Sequence, residues 1–592
     1  MVRNKLGAAL QIVLRYENLL TPEVKSLFIA NEQAQIWELI MMYGGSLSDI
    51  LEGMDMEIYD LGGGFAQVFI SKFAIGDLSD KPSVVFLNTP IIMKFISVGL
   101  GNICAAGLAT QGGNFTVTGE NVLLGVVDSG IYYQHPDFRK DDGTTRILYL
   151  WDQDLPGTPP EGFSGGREFT SEQINVALSL PTQEEQLERV PSIDVLGHGT
   201  AITGIAAGNG RGSVGRINMG VAPDAKLIIV KADKQLGLGE RWIRDIDVMR
   251  GIKYIIDKAA ALDLPVVILL GCGQSLNNHS GEEALDLYIT AIARSTRCNF
   301  VVGTGNEGDR GGHVSGKLAQ QEEIDNQLLI EDNLRSYGVC IWSSLSDDFE
   351  LVIQSPTGEE TEALGILTPN RAYLFDNTAV LVNFTETLIN ISNRFIVIYF
   401  QAQGQGSIDN GLWHLTLRGK KIVEGNYHMW GSIVSQRDNR TRFLNPTLDT
   451  TLTSPSTVRG VTSVATYNGQ TGQLAVSSGR GYTLIERIKP DIAAPGINIT
   501  VPSNEQGVLY TMLSGSSVAA SFVAGAYLIL LSYGIYQLGN PNLFGDVLKS
   551  YLIRNARRPI QNAPYPNNRW GYGTLCVEAA LNDMREVATQ TS

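Results

Sequence analysis

Three short segments, far apart in the chain, carry side chains able to perform nucleophilic chemistry. The first is Gly125-Val-Val-Asp128-Ser-Gly130, an apolar run that ends in a carboxylate and a turn. The second is Gly197-His198-Gly199-Thr200, which opens a stretch of small residues from Ala201 to Ala207. Glycines on both sides leave that histidine accessible and allow other backbone to approach it closely. The third is Ser514-Gly515-Ser516-Ser517-Val518, at the start of a long apolar run. A serine at a helix N-terminus has its N–H aimed where an oxyanion would form. Each segment has a plainer reading: a turn aspartate, a core or surface histidine, and a serine N-cap. Together, a carboxylate, an imidazole and a hydroxyl could orient, deprotonate and attack, the division of labour of acyl transfer.

The surrounding pattern must position them. Val122 to Val127, Leu227 to Val230, Val266 to Leu270 and Phe300 to Val302 are short, almost wholly apolar runs. Such runs suit parallel strands covered on both faces. Between them Trp242, Ile246, Met249, Ile252 and Ile256 recur at three- and four-residue steps and predict an amphipathic helix. The alternation predicts a doubly wound α/β sheet, with Asp128 delivered to the carboxyl edge where ligands bind. Residues 1–96 read as a separate α+β unit, with a helix over Glu23 to Tyr43 and strands at Phe65 to Ile70 and Val84 to Leu87. Residues 97–320 and 451–592 carry the α/β texture. Between them, 321–450 holds β runs without helices (Leu351 to Gln354, Ala379 to Asn383, Phe395 to Gln401, Leu412 to Leu417, Tyr427 to Ser432), which predicts an inserted β-sandwich or jelly roll.

The 592 residues exceed what one hydrophobic core usually supports. A formal charge of −16 argues against nucleic acid as a partner, since phosphate contacts need a basic surface. The five cysteines are widely spaced and form neither a CxxC pair nor a disulfide framework. No metal or cofactor is implied, and a calcium requirement is left open by the sequence. Charges at Arg3, Lys5, Arg15 and Glu17 interrupt the start of the chain, so no secretory signal is expected. Val518 to Leu538 is uncharged and long enough to span a bilayer. Its serines, its glycines and the preceding turn favour a helix buried in the α/β core instead, so no membrane span is expected.

The order Asp, His, Ser is that of subtilisin, and the resemblance extends to sequence. Val127 to Ile131, Gly197 to Thr200 and Gly515 to Ala519 are similar to the active-site signatures of the subtilase family. Thr304-Gly-Asn306-Glu-Gly308 resembles a fourth, and Lys489 to Gly496 the Pro-rich segment before the serine helix. The resemblance implies a subtilisin-like fold, Ser517 as nucleophile, His198 as general base, Asp128 as its orienting partner and Asn306 as an oxyanion donor. It also implies that Val267 to Gly273 pairs with extended substrate, with Gly271, Cys272 and Gly273 beside the S1 pocket. Gly271 stands in place of the usual serine and suggests an open S1 wall, whereas Cys272 reads better as a small buried hydrophobe. Ser516, Ser521 and Phe522 depart from the usual threonine, proline and histidine.

Tyr132 to Arg139, Asp142 to Asp152 and Gly311 to Gly316 narrow the resemblance to the clostridial germination-specific Csp subtilases. It implies a long propeptide that remains as chaperone and plug, self-cleavage between Phe95 and Ile103, and an inserted jelly roll. It further implies a bacterial spore protein of the cortex or coat region that activates a cortex-lytic enzyme precursor. A broad-specificity degradative subtilase, cytoplasmic or extracellular, and a catalytically silent scaffold are the alternatives.

Overall fold

The computed structural model describes residues 5–95, 115–236, 240–331, 333–366, 370–385, 393–404, 406–434 and 440–591. At its centre is an eight-stranded sheet in the order Ile492–Pro495, Val461–Tyr467, Cys298–Gly303, Val266–Leu270, Leu123–Asp128, Lys226–Lys231, Ile147–Asp152 and Arg167–Thr170. All neighbours pair in parallel except the last two. The four apolar runs of the sequence are four adjacent strands. Their side chains alternate between two cores: Leu124 and Val126 face one, Leu123 and Val127 the other. Both faces are therefore covered, which is why no polar alternation shows in the sequence.

Helices His198–Ala207 and Ser516–Leu531 lie against one face, and Asp245–Ala261 and Ala284–Ser295 against the other. Every residue of Ser516–Leu531 is buried. This apolar helix, which runs on to Gln537, is long enough to cross a membrane, but its most apolar window is 94% buried inside the fold. The helix predicted from Trp242 begins only at Asp245, because Trp242 belongs to the strand Glu240–Arg244.

The N-terminal unit corrects one expectation. Glu23 to Tyr43 is not a helix but a short helical turn followed by strands Ile29–Asn31 and Ile36–Tyr43. Trp37, Leu39 and Met41 fill the unit's own core, while Ile40 and Met42 pack on the central sheet's helices. A strand apolar on both faces shows no period of two, and so resembles a helix by sequence. Phe65–Ser71 and Val84–Asn88 pair with it as strands.

The β-rich segment forms two antiparallel sheets. One runs His313–Lys317, Asn426–Gly431, Ser336–Ser344, Asn393–Ala402, Thr378–Thr385, Asn370–Leu374; the other runs Asp348–Gln354, Gly411–Lys421, Glu323–Ile330, Arg442–Phe443. They share a core around Trp413, Phe400, Ile341 and Leu351, as packed sheets do. Leu381 and Val397 of this sandwich also join the N-terminal unit's core, so that unit is held by both of its neighbours.

Candidate active site

The strand Leu123–Asp128 ends with Asp128 at the carboxyl edge of the sheet. From the same edge the histidine helix starts at His198, and the serine helix carries Ser517 as its second residue. His198 Nδ1 lies 2.7 Å from Asp128 Oδ1, and His198 Nε2 lies 2.8 Å from Ser517 Oγ. Nδ1 faces a carboxylate and so carries the proton, which leaves Nε2 to accept from the serine hydroxyl. Asp128 and Ser517 are fully buried and His198 nearly so. Burial depresses the imidazole's pKa, but the Asp128 charge, its hydrogen bond and the Asp194 charge outweigh it, so the net shift is upward.

Close backbone packing fixes this geometry. A Cβ on Gly199 would collide with the Gly130 carbonyl, so the turns after Asp128 and His198 can meet only through glycine. Ser129 Oγ donates to Asp194 Oδ1 at 2.7 Å and accepts from Gly199 N at 2.9 Å. Asp194, invisible to the motif reading, accepts from Thr200 N and Thr200 Oγ1 at 2.9 and 2.6 Å and from Gly197 N at 2.9 Å. Its spacing, four residues before His198, was the available signal.

Asn306 Oδ1 accepts from Ser516 N at 3.0 Å, which fixes the side-chain amide beside the serine turn. With the carbonyl oxygen so engaged, Nδ2 is the end left to donate. Ser516 Oγ in turn accepts from Gly305 N at 3.1 Å. Ser521, in place of the usual proline, donates back to Ser517 O at 2.8 Å within the unbroken helix.

The three residues assigned to the substrate strand have different surroundings. A Cβ on Gly271 would overlap Asp128 Oδ2 and sit 2.8 Å from His198 Cε1. Its lack of a side chain thus makes room for the carboxylate. Cys272 is fully buried in the core, and burial together with the Asp128 charge pushes its thiol pKa up, as suits a packed hydrophobe. Gly273 borders an apolar cavity of about 200 Å³. A larger cavity of about 440 Å³ reaches Asn306 and is lined by Ser275, Glu307, Arg310, His313 and Trp430 among others. Burial, opposed by Arg310, raises the Glu307 carboxyl to about 7. Among the described residues no group of three or more His, Cys, Asp or Glu is placed to hold a metal ion.

The N-terminal unit reaches this site. Its last described strand, Ile92–Phe95, pairs antiparallel with Cys272–Gly273 on one side and Glu240–Arg244 on the other. Arg244 donates to Glu38 Oε2 at 2.7 Å and to Asp247 Oδ2 at 2.7 Å, a buried bridge between the two units. Asp245 Oδ1 accepts from Ile91 N at 2.8 Å. The expected cleavage segment beyond Phe95 lies outside the described residues.

Comparison with known proteins agrees with this arrangement. Residues 4–91 match the Csp protease B prodomain, and residues 119–333 and 424–573 match the subtilase family. The solved CspB protease of Clostridium perfringens is similar with 31% identity and a TM-score of 0.73, covering 82% of this chain and 97% of that one. The minor extracellular protease Vpr of Bacillus subtilis is 23% identical over 78% of this chain and 52% of its own length. The PII-type proteinase of Lactococcus lactis subsp. cremoris is 24% identical over 88% of this chain and 29% of its own. The chain thus spans about half, or less, of the length of these curated relatives. With a family match over both halves of the central sheet, the chain belongs to the subtilase family of serine endopeptidases, preceded by a prodomain of the Csp type.

Proposed function

We propose that this chain is a serine endopeptidase that cuts its own propeptide and then a narrow protein target. The observation that carries the reading is the continuous hydrogen-bonded chain from Asp128 Oδ1 through His198 to Ser517 Oγ, at 2.7 and 2.8 Å. In this reading Ser517 attacks the scissile carbonyl while His198 Nε2 takes its proton. Asp128 holds the tautomer and stabilises the imidazolium. Asn306 Nδ2 and the Ser517 N–H donate to the oxyanion, and loss of one such donor costs about 10²–10³ in kcat in subtilisin itself. His198 then protonates the leaving amine, the acyl-enzyme forms, and water reverses the sequence to free Ser517.

The ladder formed by Ile92–Phe95 supports self-cleavage just beyond it, because the strand runs toward Gly271 and the triad. The buried Glu38–Arg244 bridge supports retention of the propeptide after the cut. The Csp-type prodomain supports activation of a spore cortex-lytic enzyme precursor, with the protein held in the cortex or coat region. Likeness to an extracellular protease favours a second reading, broad degradation.

The test compares wild type with Ser517→Ala on a denaturing gel, with the new N-terminus read by mass spectrometry. Cleavage close after residue 95 in wild type alone supports the reading. Two intact proteins, with wild type also inert to a serine-directed phosphonate, would leave a silent scaffold. Digestion of casein would favour broad degradation over a narrow target.

A further inference from the structure

In the ladder beside the triad, Ile92 lies opposite Arg244, Met93 opposite Ile243, Lys94 opposite Gly273 and Phe95 opposite Cys272. An extended chain that continues this antiparallel register by one residue meets Gly271. Gly271 adjoins the triad, since a Cβ there would be 2.8 Å from His198 Cε1. A substrate residue bound opposite Gly271 would present its carbonyl to Ser517, and Lys94 stands at the position two residues before such a residue.

Side chains alternate along a strand. Met93 turns into the core and is 1% exposed. Lys94 turns the other way, and its Nζ sits 3.7 Å from the centre of the Trp242 ring. Trp242 comes from the neighbouring strand Glu240–Arg244 and is itself half-buried. Lys94 and Trp242, both half-buried, also line the apolar cavity of about 200 Å³. A cation over an indole face is attracted by the ring quadrupole, more strongly when desolvated. The Lys94 charge acts favourably on the Glu307 carboxylate as well.

We propose that Trp242 is a specificity-determining residue that selects a lysine or arginine two residues before the residue whose carbonyl is attacked. The inference rests on the peptidase reading above and extends from the propeptide tail to external targets. A chain with a formal charge of −16 favours the approach of such a basic segment.

The experiment follows self-cleavage of the full chain during cell-free synthesis. It compares wild type, Lys94→Met, Lys94→Glu, Lys94→Arg, Trp242→Phe, Trp242→Ala and the Lys94→Met/Trp242→Ala pair. Lys94→Met and Trp242→Ala should each slow cleavage about 5- to 30-fold, the range of a partly desolvated cation–π contact. Lys94→Arg should stay within about threefold of wild type, and Lys94→Glu should be slower than Lys94→Met. The pair should be no slower than the worse single variant by more than about threefold, since both remove one interaction. Wild-type rates in Lys94→Met, or a pair that multiplies the two losses, would overturn the assignment. Should Trp242→Ala fail to fold, the Lys94 series and Trp242→Phe decide it alone. A wild type that never cuts itself would remove the peptidase reading, and the inference with it.

Discussion

Although relatives usually carry a serine at this position, in this chain Asp128 Oδ2 occupies the space of a Cβ at residue 271, so replacing Gly271 by alanine should disable the site without unfolding the protein. The added Cβ would overlap Asp128 Oδ2, 2.8 Å from His198 Cε1 and 3.0 Å from Ile202 Cδ1. Backbone pairing on both sides fixes Val266–Leu270 just before it, so the strand has little room to retreat. The carboxylate is the part that can move: among the described residues its buried Oδ2 has no hydrogen-bond partner, while Oδ1 holds His198 and the Ser129 N–H. Relieving the overlap needs a shift on the order of 1 Å, enough to break a 2.7 Å hydrogen bond. Misplacement of that size costs about 10²-fold, and loss of the correct imidazole tautomer about 10⁴-fold in the comparable trypsin-like case. The assay is the second-order rate of fluorophosphonate labelling at Ser517, which needs the activated hydroxyl but no peptide in the groove. Labelling should fall about 10²- to 10⁴-fold. Thermal stability should drop only by the roughly 1–3 kcal/mol of an overpacked site. Labelling within about threefold of wild type would show that the carboxylate has room to accommodate a methyl group, and that Gly271 is not needed for triad geometry.

Three further outcomes follow from buried charge. Asp194 raises the His198 pKa alongside Asp128, so Asp194→Asn should move the acid limb of the phosphonate-labelling profile to lower pH and slow labelling; an unmoved limb would leave Asp194 a purely structural role. Burial raises Asp245 from 3.8 to about 7, so the folded state holds that proton more tightly and stability falls as pH rises between those values. Asp245→Asn keeps an acceptor for Ile91 N, and should gain on the order of 1–3 kcal/mol over wild type at pH 8 with no gain at pH 4, read by melting at both. Burial pushes Glu38 up, but the Arg244 and Lys234 charges and the Arg244 hydrogen bond together bring it below its ordinary value, so its stabilisation is present above the ordinary carboxylate range and is lost on acidification. Glu38→Gln should weaken retention of the cut propeptide by about 10²-fold, seen as loss of the fragment on gel filtration, because half of a buried ion pair is expensive to remove.

What could be read from the sequence was set by how local each signal is. Four strands of the central sheet were legible because each apolar run is bounded by glycine or polar turns, and burial on both faces made them uniformly apolar. Asp128, His198 and Ser517 were legible for a related reason: each sits at a strand or helix end whose glycines admit close backbone contact, an unusual local pattern. The strand Ile36–Tyr43 escaped notice because its second apolar face is explained only by the catalytic unit it docks against. Arg244 and Glu38 are 206 residues apart, and Asp245 meets Ile91 across 154, so nothing local distinguishes them from solvated charges. The packing of Gly271 against Asp128 was hidden for the same reason, since Asp128 is supplied by a different strand. The candidate triad is thus written in local motifs, whereas the contacts that hold the strand Ile92–Phe95 depend on pairings between units. On the proposed reading, variation at Trp242, Glu38 or Arg244 would change which strand the groove holds and how tightly, while leaving the three active-site signatures untouched.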